Sequence, residues 1–156
     1  MNTAEDNLAD LGITLPQPPE AVANYVPFVT IGTMVTISGQ LPMENGNLTA
    51  QGAVGNDVDM ETARAAARQC AVNILAQLRA AAGSLNNVRR IVRLGGFVNC
   101  TADFREQAQV INTASDLMVA VFGEVGRHAR TAVGVNALPL GAPVEIDAVA
   151  EIAPRD

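Results

Sequence analysis

The chain has 156 residues, of which 49% are hydrophobic, and this is enough apolar material for the core of one domain. Its ten basic residues, all arginine, stand against 16 acidic ones, so the formal net charge is −6. Because no basic run occurs and aromatic residues make up only 3%, the composition argues against a protein that binds nucleic acid through phosphate contacts and base stacking.

The N-terminal residues, the length of the apolar runs and the spacing of His and Cys indicate which location and which metal sites to expect. The chain starts with acidic and polar residues, unlike a signal peptide, and has no run of about 18 apolar residues, so we expect a cytoplasmic protein that does not enter a membrane. Its single histidine and two cysteines do not have the spacing of a zinc site, so no metal is expected.

Residues 1–24 are predicted to form an N-terminal arm. An apolar patch at residues 8–15 is followed by three prolines, which predicts a short helical or irregular segment and then extended chain. The remaining residues, 25–156, are predicted to form a single domain.

The next residues predict two strands and a loop. Residues 25–40 are rich in β-branched side chains around Gly32, which is typical of two strands joined at Gly32 and Thr33. Residues 44–56 are rich in glycine and asparagine and are predicted to be a loop.

Two helices and the strand between them follow. Small and apolar residues recur at intervals of three and four up to Ala82, which predicts a helix over residues 59–82 that ends at Gly83. A strand is predicted over residues 88–99, with Gly95 and Gly96 at a bulge or a close approach. Asp103 and Glu106 resemble a capping box that opens a second helix, which is predicted to end at Gly123.

The last two strands carry the most informative residues. Alternating apolar positions predict strands over residues 131–135 and 144–152, joined by a tight Leu-Pro-Leu-Gly connection. If these strands pair as a hairpin, Arg130 faces Glu145. The pattern then predicts a carboxylate-binding guanidinium opposite an acid/base carboxylate, in a chain where only 17% of residues are charged.

The order of elements predicts an α+β fold. The sequence β-β-α-β-α-β-β supplies two helices, which can cover one face of a mixed sheet. No third helix is available for the other face, so we expect that face to be buried against another subunit.

Three strings connect the chain to a known family. They are Ser38-Gly39-Gln40-Leu41-Pro42, Arg130-Thr131-Ala132-Val133, and the closing strand from Val144 to Ala150 after Leu138-Pro139. In this order they resemble the Rid family, also called the YjgF family, over residues 25–152. The resemblance implies a chorismate-mutase-like fold and a homotrimer with ligand clefts between its subunits.

The resemblance also implies an activity. Family members deaminate reactive enamines and imines, such as 2-aminoacrylate and 2-iminobutanoate, to 2-oxo acids and ammonia without a cofactor. By this resemblance Arg130 binds the substrate carboxylate and Glu145 handles the water, and the cleft is completed by Tyr25, Ser38 and Asn112. These residue types suit the chemistry, because a guanidinium matches a planar carboxylate and a carboxylate can move protons through one water.

Each assigned residue also has a structural alternative. Arg130 and Glu145 could be solvated strand residues, and Tyr25 could be a packing residue with its hydroxyl satisfied. Ser38 and Asn112 could satisfy backbone groups. His128, beside Arg127 and just after the second helix, suits a solvated or carbonyl-capping role.

Two other functions remain open from the sequence. The chain could be a small-ligand-binding or protein-protecting module that lacks turnover. Ribonuclease activity is a third reading, against which the acidic charge and the absence of a histidine pair argue.

Overall fold

The computed structural model describes residues 1–18 and 23–155, which form a mixed five-stranded sheet with helices on one face. This confirms the predicted α+β fold and the order of its main elements. The helices are α1 (Ala4–Asp10), α2 (Met60–Ala82) and α3 (Gln107–Phe122). The strands are β1 (Phe28–Ile31), β2 (Met34–Gln40), β3 (Met43–Glu44), β4 (Asn47–Leu48), β5 (Val88–Asn99), β6 (Ala129–Val135) and β7 (Val144–Ile152).

The strand order corrects the predicted hairpin between the last two strands. The order is β1-β2-β7-β5-β6, so β5 lies between β6 and β7. Helix α3 supplies the crossover that a parallel pair needs, and β6 therefore pairs in parallel with β5. The chain then passes over the end of β5, where the Asn99 N–H donates to the Pro143 carbonyl (2.9 Å) and Asn99 Nδ2 donates to the Ala142 carbonyl (3.2 Å).

Alternation along the strands gives the sheet one covered and one open face. Helices α2 and α3 pack on the covered face. The strand side chains buried there are Val35, Ile37, Ile91, Leu94, Val98, Val144, Ile146, Ala148, Ala150 and Ile152. The open face keeps exposed apolar residues, among them Ile31 (77% exposed) and Val133 (40% exposed). As expected, no helix of the described chain covers this second face.

Helix ends were predicted with mixed success. Gly83 ends α2 in the left-handed conformation (φ 79°), and Gly123 ends α3, both as predicted. The capping box at Asp103 and Glu106 is wrong, because α3 begins at Gln107 after a Glu106 cap that makes no side-chain hydrogen bond. The Asp103 carboxylate instead interacts with Thr101, which lowers the pKa of Asp103.

The predicted loop over residues 44–56 contains part of a small hairpin. Strands β3 and β4 pair through a two-residue turn at Asn45 (φ 52°) and Gly46 (φ 82°). Asn-Gly is the sequence that favours such a turn, because both residues tolerate a positive φ. The signal for a hairpin was therefore present in the sequence.

Gly96 sets the distance between α3 and the sheet. A β-carbon at residue 96 would lie 2.6 Å from Ile111 Cγ1 on α3. The predicted close approach at Gly95 and Gly96 is confirmed, whereas the irregular pairing of β5 lies earlier, before Arg93. The absence of a side chain thus lets α3 pack closely on β5.

The N-terminal arm begins with α1, which packs against the helix layer. Glu5 accepts hydrogen bonds from Arg79 Nη2 (2.6 Å) and from the Leu85 N–H (2.9 Å). Asn7 Nδ2 donates to the Val121 carbonyl (2.9 Å), and Leu8 is buried. Within the described residues, none of the helices is both long enough and apolar enough to cross a membrane.

Replacing Glu5 by glutamine tests how α1 is held. Burial raises the pKa of Glu5, but the hydrogen bonds from Arg79 and Leu85 outweigh it, so the net pKa is lowered. The ionised side chain therefore stabilises the fold above the ordinary glutamate pKa of about 4.3, and this contribution is lost as the pH falls through the lower folded-state pKa. We expect Glu5→Gln to reduce the free energy of unfolding by about 1 kcal/mol at neutral pH.

Urea unfolding at one protein concentration would measure this difference, which should shrink as the pH is lowered toward about 3. Glu106→Gln is the matched control, because Glu106 is exposed and its side chain makes no hydrogen bond within the described chain. If Glu5→Gln lowers the free energy of unfolding equally at neutral pH and near pH 3, the shape of the side chain and not its charge holds α1 in place.

Candidate functional site

Arg130 lies near the start of β6 on the covered side of the sheet, opposite Leu94 of β5. Its Nη1 donates to Asn112 Oδ1 (2.8 Å) and to Ser115 Oγ (3.2 Å), both on α3. Residues three apart share a helix face, so Asn112 and Ser115 present their oxygen atoms to the same nitrogen. Of the predicted cleft residues, Asn112 is therefore brought together with Arg130.

Arg130 differs from the other arginines in its surroundings. Three arginines are partly buried: Arg79, Arg93 and Arg130. Arg79 pairs with Glu5 (2.6 Å) and Arg93 with Asp147 (3.4 Å). Arg130 forms an ion pair with none of the carboxylates in the described chain, since its partners are a neutral amide and a hydroxyl. Its positive charge is held in place but not neutralised.

Glu145 lies on the open face, where β7 pairs it with Phe97 of β5. Its carboxylate packs directly against Gly39 of β2, so that a β-carbon at residue 39 would overlap it. Burial, and then the neighbouring charge of Asp147, raise the pKa of Glu145. No residue of the described chain donates a hydrogen bond to this carboxylate.

The expected contact between Arg130 and Glu145 is absent within the chain. The two residues lie on opposite faces of the sheet and two strands apart, and the register offsets them by three residues. Standard strand spacing then separates their α-carbons by about 14 Å. The prediction that they face each other across a hairpin is wrong because β5 separates their strands. One chain alone cannot direct both side chains at one small molecule.

Ser38 and Tyr25 lie on the β2 side of the sheet, away from Arg130. Ser38 Oγ donates to the Val26 carbonyl (2.7 Å), and the Ser38 N–H donates to the Pro27 carbonyl (2.9 Å). These bonds hold the segment that carries Tyr25 against β2, and Tyr25 itself is 55% exposed. Ser38 thus satisfies a backbone carbonyl, which is the structural alternative noted for it, and it also adjoins the Gly39 position against which Glu145 packs.

Ser115 follows Ile111 by four residues, at the spacing of an apolar stripe along α3, but its hydroxyl contacts Arg130. The spacing of Asn112 and Ser115 was the available signal. His128 contacts a carbonyl, as expected, because its Nδ1 lies 2.6 Å from the Gly126 oxygen. In the part of the chain that is described, no three His, Cys, Asp or Glu side chains gather where they could hold a metal ion.

Residues 5–152 match the family described as "YjgF/chorismate_mutase-like, putative endoribonuclease". The chain belongs to this family. The resemblance inferred from three short strings is confirmed, and with it the chorismate-mutase-like fold. Family membership leaves the roles of Tyr25, Ser38, Asn112, Arg130 and Glu145 as predictions.

Several relatives of known sequence or structure are similar over nearly the whole chain. Protein TCP17 of Trypanosoma cruzi is 47% identical over 94% of this chain and 92% of its own length. The crystal structure of Atu1372 from Agrobacterium tumefaciens, a protein with unknown function, is 52% identical and superposes with a TM-score of 0.88 over 96% of this chain and 92% of that one. A 2-iminobutanoate/2-iminopropanoate deaminase of Salmonella typhimurium is 33% identical over 85% of this chain and 90% of its own length.

The contact between Gly39 and Glu145 can be tested without reference to activity. We expect Gly39→Ala to lower the free energy of unfolding by about 1 kcal/mol at most, because the added methyl group would displace the Glu145 carboxylate, which is the end of a flexible side chain. Adding Glu145→Ala should restore most of the loss, since the second change makes room for the methyl group. Thermal and urea unfolding of the two single variants and the double variant measure this. A Gly39→Ala protein as stable as the unmodified one would show that the carboxylate moves aside freely.

Proposed function

We propose that the protein is a homotrimeric deaminase that hydrolyses enamine and imine derivatives of 2-oxo acids, such as 2-aminoacrylate and 2-iminobutanoate, to 2-oxo acids and ammonia. The observation that carries the proposal is Arg130, a partly buried guanidinium held by neutral partners. The 33% identity with the Salmonella typhimurium deaminase supports the same reaction class.

The geometry of Arg130 suits a carboxylate ligand. Its Nη1 is occupied by Asn112 and Ser115, whereas no described residue accepts a hydrogen bond from Nε or Nη2. These two nitrogens form one edge of the guanidinium, and that edge can donate two parallel hydrogen bonds to a carboxylate. Holding Nη1 fixes the direction in which the free edge points.

The second half of the site has to come from a neighbouring copy. Glu145 lies on the open face of the sheet, and Ser38 and Tyr25 lie near the adjacent strand β2. Arg130 points to the opposite face. In a closed ring of identical subunits, the Arg130 edge of one protomer can meet the open face of the next. This arrangement would also cover the exposed apolar residues of that face, which include Ile31 and Val133.

The proposed reaction balances with water as the only co-substrate. An enamine first takes a proton on carbon to give the imine. Water then adds through oxygen to the C=N carbon, Glu145 accepts a proton from that water, and the nitrogen receives a proton. The hydroxyl of the resulting carbinolamine then loses its proton and the amine nitrogen gains one as the C–N bond breaks, which releases ammonia and leaves the 2-oxo acid. A raised carboxylate pKa favours this role, because proton exchange is most efficient when the pKa of the catalyst approaches the working pH.

A non-catalytic module that binds small carboxylates is the second candidate. It is favoured by one observation: the Arg130, Asn112 and Ser115 cluster is complete within a single chain, whereas Glu145 lies elsewhere. Such a protein would bind 2-oxo acids without releasing ammonia from imines.

Substitution of Arg130 tests the carboxylate-binding role. We expect Arg130→Ala to lower kcat/KM for freshly generated 2-iminobutanoate by about 100-fold or more, because two charge-assisted hydrogen bonds are lost. Arg130→Lys should recover only part of this, about tenfold, since an ammonium keeps the charge but not the two-pronged geometry. Ammonia release measures the rate, and Arg105→Ala, at an exposed position, is the matched control. Full activity in Arg130→Ala would reject the deaminase assignment.

Mixing two inactive variants tests whether the site lies between subunits. Arg130→Ala and Glu145→Gln chains, unfolded together and refolded at equal amounts, should regain about one quarter of the normal activity. In random trimers about three quarters are mixed, and each mixed trimer has one interface out of three with both residues intact. Light scattering should give about three times the mass of one chain.

The control for this experiment refolds Arg130→Ala with the Arg130→Ala/Glu145→Gln double variant. No subunit in that mixture keeps Arg130, so no activity is expected. If the first mixture also stays inactive while trimers form, the two residues do not complete each other's site across the interface.

A further inference from the structure

A chain of hydrogen bonds runs from Arg130 to the turn that precedes β6. Arg130 Nη1 donates to Ser115 Oγ (3.2 Å), Ser115 Oγ lies 2.9 Å from His128 Nε2, and His128 Nδ1 lies 2.6 Å from the Gly126 carbonyl oxygen. Ser115 and His128 are partly buried. They lie on the Nη1 side of the guanidinium, away from the edge formed by Nε and Nη2. Neither residue belongs to the family strings discussed above.

When the His128 ring is neutral, the partners fix the direction of every hydrogen bond in this chain. The Gly126 carbonyl can only accept, so His128 Nδ1 carries the hydrogen in that contact. In the neutral ring, Nε2 is then an acceptor, and the Ser115 hydroxyl must donate to it. The lone pairs of Ser115 Oγ are left for Arg130, whose guanidinium can only donate. One arrangement of hydrogens therefore satisfies all four groups.

We propose that Ser115 and His128 are positioning residues, which hold the Arg130 guanidinium in the orientation that binds a substrate carboxylate. This proposal rests on the proposed function, in which Arg130 contacts the ligand. Ser115 contacts Arg130 directly, and His128 acts through Ser115 by taking the hydroxyl hydrogen.

The physical reason is the freedom of the two side chains concerned. An arginine side chain has a long rotatable stem, and ordering it only when the ligand binds reduces the affinity. A serine hydroxyl also rotates, and if its hydrogen pointed at Arg130 it would repel the guanidinium. His128 prevents this orientation, because its Nε2 accepts the hydrogen of the Ser115 hydroxyl. Asn112, the other partner of Nη1, is exposed, and none of the described residues holds its side chain in this way.

Two substitutions of His128 separate this role from simple packing. A glutamine places an oxygen at the distance of Nε2 from the backbone and can accept from Ser115. An asparagine places its amide at the distance of Nδ1 and can serve only the Gly126 carbonyl. Each variant loses one of the two ring contacts, so their costs to folding should be similar, and urea unfolding checks this. Only His128→Gln keeps the link to Ser115.

Binding of 2-oxobutanoate, followed by calorimetry, is the measurement, with imine turnover as a second readout. We expect Ser115→Ala and His128→Asn to raise Kd by up to about tenfold, whereas His128→Gln should stay within about twofold of the unmodified protein. In turnover, KM should be higher for Ser115→Ala and His128→Asn, and kcat should change little. The reason is that a poorly oriented Arg130 binds the substrate carboxylate less tightly in the ground state and the transition state alike.

The outcomes separate this proposal from the proposed function. If Arg130→Ala binds 2-oxobutanoate normally, the proposed function is rejected, and the positioning role falls with it. If Arg130→Ala abolishes binding but Ser115→Ala does not weaken it, only the positioning role is rejected. Equal affinities of His128→Asn and His128→Gln would also reject it, because those variants differ in the link to Ser115.

Discussion

Alternation of side chains along the strands, together with helices on only one face, is the constraint on which the site depends. Arg130 points to the covered side, where α3 supplies Asn112 and Ser115. Glu145 points to the open side, where none of the described helices covers it and Asp147 is its neighbour. A shift of either strand by one residue would move its own charged side chain to the other face of the sheet. The sheet thus gives the cation neutral partners and leaves the carboxylate on a surface that a second copy can cover.

The cation half of the site is supported by rigid elements. Gly96 lets Ile111 approach β5 closely, and Asn112 follows Ile111 on α3. The packing that sets the height of α3 above the sheet therefore also sets the distance from Asn112 to Arg130. Sites held by helices and strands keep their geometry better than sites on loops. The same contacts at this corner of the fold therefore contribute to stability and set the position of Arg130 relative to Asn112.

Much of the fold, and less of the site, could be predicted from the sequence. Periodicity and glycine positions located α2, α3 and the main strands, because those signals are local. The pairing of β6 with β7 was predicted wrongly, since alternation reports which face a residue occupies but not which strand lies beside it. Asn112 and Arg130 were assigned through resemblance, and the structure brings them together. Ser115 was missed because its spacing from Asn112 shows that the two residues share a helix face but not which side chain they contact.

The packing of Glu145 against Gly39 links two positions that are far apart in the sequence. With no side chain at residue 39, the Glu145 carboxylate lies against bare backbone. Any larger residue at 39 would compete with the glutamate for the same space, and a smaller residue at 145 would leave that space empty. Across descendants of this sequence, the two positions should therefore change together or not at all, and a lineage that lost Glu145 would be released from the requirement for glycine at 39. The residue found at position 39 would then record whether a carboxylate still occupies the space beside it.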